Sequence, residues 1–367
     1  MIYMMKLFNK ILMLMAATTM MVVTGCQSEL LTEIREQSQA ELTGGAIDFG
    51  NGFIDNPVST RAVTYLSDHT SSMGVFGWQK LDDDEYNLFT DEYIYYSDSI
   101  DNWTYLRKRY WDTKSTYRFY AYAPHSSAVE GAEVGINRST GEFSISGVRL
   151  TGSNAVMEGG SRAPLGSFGG VTDTDWMIDR TGRTGVRGAA GARVMFNMQH
   201  ILSKLNVRVR TYGALSTDES TIIVIDSIII GEFKGEADFV QRLNHTPNPD
   251  IEDDVTVTEW SVNAAGSSYS IRSAENVAID AQGMYVIESL IIPQGTTAEQ
   301  SVKVCYTMFT GDGRTERFAS RLPLDMFGSF MAGNSYTLTL NIGPDVITFS
   351  TGCEQWTTGG DATRYID

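Results

Sequence analysis

The chain has 367 residues, 42% of them hydrophobic, which is enough for two cores and too apolar for a globally disordered protein. Its 45 acidic against 28 basic residues give a net charge of −17, which excludes nucleic acid and anionic head groups as general partners. There are three cysteines, no C-x-x-C and no Cys/His ligand spacing, so neither a metal nor a cofactor is expected.

In chain order, the first element is an export signal. Lys6 and Lys10 precede an apolar run, Ile11 to Val23, that is too short for a good membrane span and suits a signal core. Val23-Thr24-Gly25-Cys26 then resembles a bacterial lipoprotein box. The chemistry this implies is lipid attachment to the Cys26 sulfur, cleavage before it, and acylation of the new amino group. Residues 1–25 form the signal peptide in this reading, and their loss makes the net charge two units more negative. The bland reading is an ordinary signal with an incidental cysteine. The sequence stays polar to about Gly45, as a tether would.

From there the dominant period is two, the period of strands. In "AIDFGNGFID" Ile47 and Phe49 alternate and Phe53 follows. "DNWTYLRKRYW" reads as a short helix or an irregular edge segment, and "TYRFYAYAP" as a strand with Tyr117, Phe119 and Ala121 on one face. "RVMFNMQHILSKLNVRVRT" changes phase: Val194, Phe196 and Met198 give way to Leu205, Val207 and Val209. A strand does this only through a bulge, bend or helical turn, so a domain boundary is placed here, between residues 198 and 199. "TIIVIDSIIIG" and "YVIESLIIPQG" are apolar enough for strands covered on both faces. "SVKVCYTMF" alternates through Val302, Val304, Tyr306 and Met308. In "SYTLTLNIGPDVITFST" Tyr336, Leu338, Leu340 and Ile342 share a face, Gly343-Pro344-Asp345 turns the chain, and Ile347 and Phe349 resume it. The whole reads as all-β, two antiparallel sandwiches in tandem. With Cys26 lipidated, Cys305 and Cys353 are left either bridged, as an exported location permits, or as two buried thiols.

Catalytic patterns are missing. The acidic clusters Asp82–Glu85, Asp173–Asp175 and Asp250–Asp254 lack the spacing of a calcium loop, and nothing selects a carboxylate pair for glycoside hydrolysis. There is no G-x-S-x-G elbow and no phosphate loop, and His69, His125, His200 and His245 are scattered. The chain is read as non-enzymatic. Aromatic residues concentrate between Tyr93 and Tyr122, including Tyr95, Trp103 and Trp111. They serve either packing or stacking on sugars, with Trp103 and Trp111 the candidate glycan contacts.

Several segments occur in a telling order: "STRAVTYL", "MGVFGW", "YRFYAYAP", "DWM", "VMFNMQHILSKLNVRV", "LIIPQ", and "GNSYTLTLNI" followed by "ITFS" and "EQW". The ordered set resembles the fimbrillin-like lipoproteins of the Bacteroidetes. The resemblance implies two transthyretin-like β-sandwich domains, here residues 62–198 and 199–367, after a tether and leader over 26–61. It also implies an outer-membrane lipoprotein on its way into a fimbrium, whose leader and first strand are removed by an arginine-specific protease. The vacated groove then receives a strand from another pilus subunit. On this sequence the cut falls between Arg61 and Ala62, with a removable strand carrying Ile47, Phe49 and Phe53; Arg35 is the runner-up, although a cut there leaves that strand in place, and the alternative is that Thr60-Arg61-Ala62 is a loop in an uncleaved anchor or surface lipoprotein. The C-terminal "CEQWTTGGDATRYID" departs from a good donor strand, which favours a tip or accessory subunit over a stalk subunit. The partners implied are other subunits, the protease, the outer membrane through the lipid, and a host or bacterial surface receptor. The competing reading is an untrimmed surface lipoprotein that binds glycans.

Overall fold

The computed structural model describes residues 45–49, 72–152, 154–155, 157–158, 161–162, 173–179, 184–187, 193–196, 198–243, 255–272, 276–298, 300–344 and 347–355. The first part of the chain supplies β1 (Asp48–Phe49), β2 (Met73–Leu81), β3 (Asp84–Ser97), β4 (Asn102–Thr104), β5 (Thr116–Ala123), β6 (Glu133–Asn137), β7 (Glu142–Arg149), β8 (Asn154–Ala155), β9 (Met157–Glu158), β10 (Ser161–Arg162), β11 (Met177–Asp179), β12 (Thr184–Arg187), β13 (Arg193–Val194) and β14 (Met198–His200). The rest supplies β15 (Ser203–Thr211), β16 (Ile222–Lys234), β17 (Glu236–Leu243), β18 (Val255–Val262), β19 (Ser268–Arg272), β20 (Val277–Ile279), β21 (Met284–Ile291), β22 (Gln294–Gly295), β23 (Ser301–Phe309), β24 (Thr315–Pro323), β25 (Ser329–Phe330), β26 (Asn334–Ile342) and β27 (Ile347–Gln355). The architecture is all-β. "DNWTYLRKRYW" resolves into the short β4 and an irregular loop, not a helix.

Three cores organise these strands. A nine-stranded sheet runs β13-β1-β4-β3-β2-β5-β11-β14, with β12 beside β5. Its long β3 pairs with β2 over most of its length and with β4 at its end. The sheet thereby folds over on itself, and the first core, with Val75, Phe89, Phe119 and Phe196, lies between its two arms. Alternation sends the other set of side chains on β2 and β5, Phe76, Trp78, Tyr120 and Tyr122, to the opposite face. There they meet the four-stranded sheet β18-β17-β7-β6 and form the second core. The third core fills the sandwich of β27-β26-β15-β21-β8 against β19-β16-β23-β24.

The phase change has a simple origin. Val194, Phe196 and Met198 belong to the first core, Ile201 and Leu202 to the second, and Leu205, Val207 and Val209 to the third. The chain passes from β14 in the nine-stranded sheet to β15, which lies between β21 and the parallel β26. A single cut between 198 and 199 does not divide the sheets, however. The hairpin β17–β18 returns and pairs with β7, adding Phe239 to the second core. Two polar pairs are buried around the crossing: His200 Nδ1 lies 2.9 Å from the Asp175 carboxylate, and Lys204 contacts Glu288.

The two apolar runs behave differently. β21 is covered on both faces, with Ile287 in the third core and Leu290 in the second. β16 is covered on one face alone: Ile223, Ile225, Ile228 and Ile230 point inward, whereas Ile222 is 54% exposed. The bridge between Cys305 and Cys353 is not formed: both thiols are free and half-buried, one on β23 and the other on β27 of different sheets.

Candidate functional site

Apolar alternation in Ala46–Phe49 makes this segment a strand, and both of its apolar side chains are wholly buried. β1 is an internal strand, not an edge. Phe49 pairs antiparallel with Trp103 of β4, while Asp48 and Phe49 run parallel to Arg193 and Val194 of β13. The loop that follows β4 holds the other end. The Ile47 amide donates to the Arg109 carbonyl at 2.8 Å, and the Trp111 amide to the Gly45 carbonyl at 3.0 Å. The Tyr105 hydroxyl donates to the Ile47 carbonyl at 2.8 Å and accepts from the Arg109 amide at 3.1 Å. Burial holds the Tyr105 phenol far above its ordinary pKa, so it is a permanent donor at neutral pH. At the rim, Lys108 Nζ sits 3.2 Å from the Asp48 carboxylate, an exposed pair of small energetic weight.

The Phe49 ring fills an aromatic socket. Phe89 and Tyr105 present edges to it at 5.7 Å, Phe119 meets it at 6.3 Å and 88°, and Phe196 stacks on it at 5.7 Å and 20°. Burying side chains of this size stabilises by about 1.5–3 kcal/mol each, with aromatic pairing adding about 0.5–1.5 kcal/mol. Sequence periodicity points to Ile47 and Phe49. It marks Phe196 as an inward position but does not pair it with Phe49, because the two lie far apart in sequence, and it does not find Tyr105, whose hydroxyl contact is a loop feature.

The remaining sequence candidates fall in two groups. Cys26, Phe53, Arg61 and Ala62 lie outside the described residues. Trp103 and Trp111 are described and are 1% and 0% exposed, so neither offers a face to a sugar in this conformation. Their indoles are packing elements. Trp103 meets Tyr96 edge-on at 5.7 Å, and Trp111 meets Tyr117 at 4.7 Å and 86°. Among the described residues no group of three or more His, Cys, Asp or Glu side chains is arranged to hold a metal ion, and no helix is long and apolar enough to cross a membrane.

The fold is an all-β set of packed sheets with an N-terminal segment threaded as an internal strand. Residues 60–356 match the model of the fimbrillin-like family, and the chain belongs to that family. This makes it a fimbrial subunit or adhesin of the cell surface. A fimbrial protein from Bacteroides vulgatus has a similar fold, with a TM-score of 0.56 at 16% identity, covering 85% of this chain and 99% of that one. A Bacteroides uniformis protein assigned to cell adhesion aligns with a TM-score of 0.44 at 15% identity over 85% of this chain and 98% of its own. The tip fimbrial protein Mfa3 from Porphyromonas gingivalis aligns at 0.34 and 10% identity over 78% and 95%. No curated protein matches the sequence.

Proposed function

We propose that the chain is a non-enzymatic fimbrial subunit assembled by strand replacement. It is exported as a lipoprotein on Cys26 and held at the outer membrane. An arginine-specific protease then cuts between Arg61 and Ala62. The cut frees the leader, including Ile47, Phe49 and Phe53, and a segment of a neighbouring subunit takes its place. The observation that carries this reading is the seating of β1 and the residue before it: Ile47 and Phe49 have no exposure and β1 is paired on both sides, yet the segment precedes the family-matched region.

The physical reason is local. Removing β1 uncovers main-chain donors and acceptors on β4 and β13 and empties the socket around Phe49. An incoming strand satisfies both at once, through ladder hydrogen bonds and alternate side chains in pockets. The energy for assembly is stored in the incomplete fold, so no nucleotide is needed.

The test is treatment of the purified precursor with an arginine-specific protease. The expected product begins at Ala62, lacks the leader after gel filtration, and forms higher-order species with partner subunits. A leader that stays bound after a complete cut, or a trimmed chain that remains monomeric with every partner, would overturn the reading.

A further inference from the structure

The seat of β1 does more than pair a main chain; it sets a different demand at each position. Position 47 is inward and wholly buried, with its carbonyl held by the Tyr105 hydroxyl and its amide by the Arg109 carbonyl. Position 49 is closed in by rings, with Phe196 stacked on it and Phe89, Tyr105 and Phe119 standing at steep angles. Contacts that leave Phe49 out keep this socket in shape: Phe89 meets Tyr105 at 5.2 Å and 88°, and Phe119 at 6.1 Å and 47°. Position 48 points the opposite way, to the rim. Lys108 Nζ lies 3.2 Å from the Asp48 carboxylate there. It also sits 4.8 Å from the centre of the Tyr105 ring, which holds the cation in place whether or not a carboxylate faces it. The exposed Arg193 is the register partner of Asp48 on β13. An outward position flanked by two cations stands out in a chain with 45 acidic and 28 basic residues.

We infer that the socket selects an incoming strand with the order aliphatic, acidic, phenylalanine, and that this strand comes from a different chain. The inference rests on strand replacement as proposed above. A planar ring contacts the Phe196 face and the surrounding edges at once, whereas an aliphatic side chain meets only part of them and alanine leaves a void. The rim adds a sign: a carboxylate at the middle position gains from Lys108 and Arg193, and a lysine is repelled by both. Apart from Ile47-Asp48-Phe49 itself, no large aliphatic residue is followed by an acid and a phenylalanine anywhere in the sequence. An acid precedes phenylalanine at Glu142-Phe143, Glu232-Phe233 and Asp238-Phe239, but behind glycine or alanine. Those pairs also lie within β7, β16 and β17, which are internal strands of their sheets. Once the leader is gone, a second trimmed copy has no matching segment to offer. The occupant is therefore a strand of another subunit that carries the triad.

The test adds labelled peptides to the full chain after a complete arginine-specific cut and gel filtration, and reads binding by fluorescence anisotropy. The native peptide has the sequence of residues 45–54, and its versions carry Phe49→Ala, Phe49→Leu or Asp48→Lys. The native peptide is expected to bind, with affinity lower by about a hundredfold or more for Phe49→Ala and about tenfold for Phe49→Leu. Asp48→Lys should lose about three- to tenfold at low salt and less at high salt. Against a chain carrying Lys108→Glu and Arg193→Glu, the native and Asp48→Lys peptides should exchange rank; both residues are exposed, so the fold is kept. Alanine or lysine versions that bind as tightly as the native peptide, or trimmed copies that assemble with one another, would overturn the inference and leave strand replacement standing. No binding by any version, the native one included, would bring down strand replacement and the inference with it.

Discussion

The rings of Phe49 and Phe196 stack 5.7 Å apart with planes 20° from parallel, joining the leader-side segment to the stretch that leads into β14. Three further aromatic rings close around Phe49, so truncating it leaves a cavity that rigid neighbours do not fill. Phe49→Ala is expected to destabilise the precursor by about 3–5 kcal/mol in urea unfolding. The same substitution has no bearing on a chain that begins at Ala62, so only the precursor's curve should move.

Tyr105 ties the leader to the loop through its hydroxyl. Tyr105→Phe keeps the ring and strands the Ile47 carbonyl, and should cost about 1–2 kcal/mol. Hydrogen exchange at residues 45–49 should accelerate more than exchange elsewhere; uniform acceleration would argue against a local tie.

Alkaline pH should unfold the protein through its buried tyrosines. Desolvation raises the phenols of Tyr105, Tyr120, Tyr122 and Tyr269 above the ordinary value of 10.0. A raised folded-state pKa means that the folded form holds its proton where the unfolded form has lost it. The stabilisation is therefore complete below pH 10 and declines as pH climbs from 10 towards the folded values. Urea midpoints measured against pH should be flat with respect to these groups below 10 and fall above it, with tyrosinate absorbance lagging until unfolding.

The buried Lys204–Glu288 pair should follow the asymmetry of buried charges. Lys204→Met leaves a buried carboxylate and is expected to cost about 3–5 kcal/mol, while Lys204→Met with Glu288→Leu should recover most of that loss. A double-mutant cycle by denaturant unfolding reads both; a double variant no more stable than Lys204→Met would show that the cost lies in packing.

Gly74 faces Tyr122 across the β2–β5 pairing, and a Cβ placed there would lie 2.1 Å from the ring. Gly74→Ala should displace Tyr122, break its bond to Asp91 and lower stability by about 1–3 kcal/mol.

Period-two alternation is a local property, set by where successive Cβ atoms point, and the strands around Val304, Leu338 and Phe119 were legible for that reason. The phase slip between Met198 and Leu205 was legible too, as a place where the chain changes layers. Which layers meet was not. The return of β17–β18 to β7, the parallel contact of β1 with β13, and the burial of Trp103 and Trp111 all depend on pairings between distant segments. Cys305 and Cys353 show the same limit, since spacing says nothing of whether two sheets bring their sulfurs within bonding reach.

The amino-acid order by itself therefore determined an acidic, all-β chain with strands of known inward faces. Only the tertiary structure decided which aromatic residues are sealed and which stand at the surface. The physical reason is that alternation assigns a side chain to a face, whereas exposure depends on whether another layer covers that face. Tyr95 and Trp103 belong to one aromatic run, yet β1 and its neighbours close over the tryptophan and the second core stops short of the tyrosine.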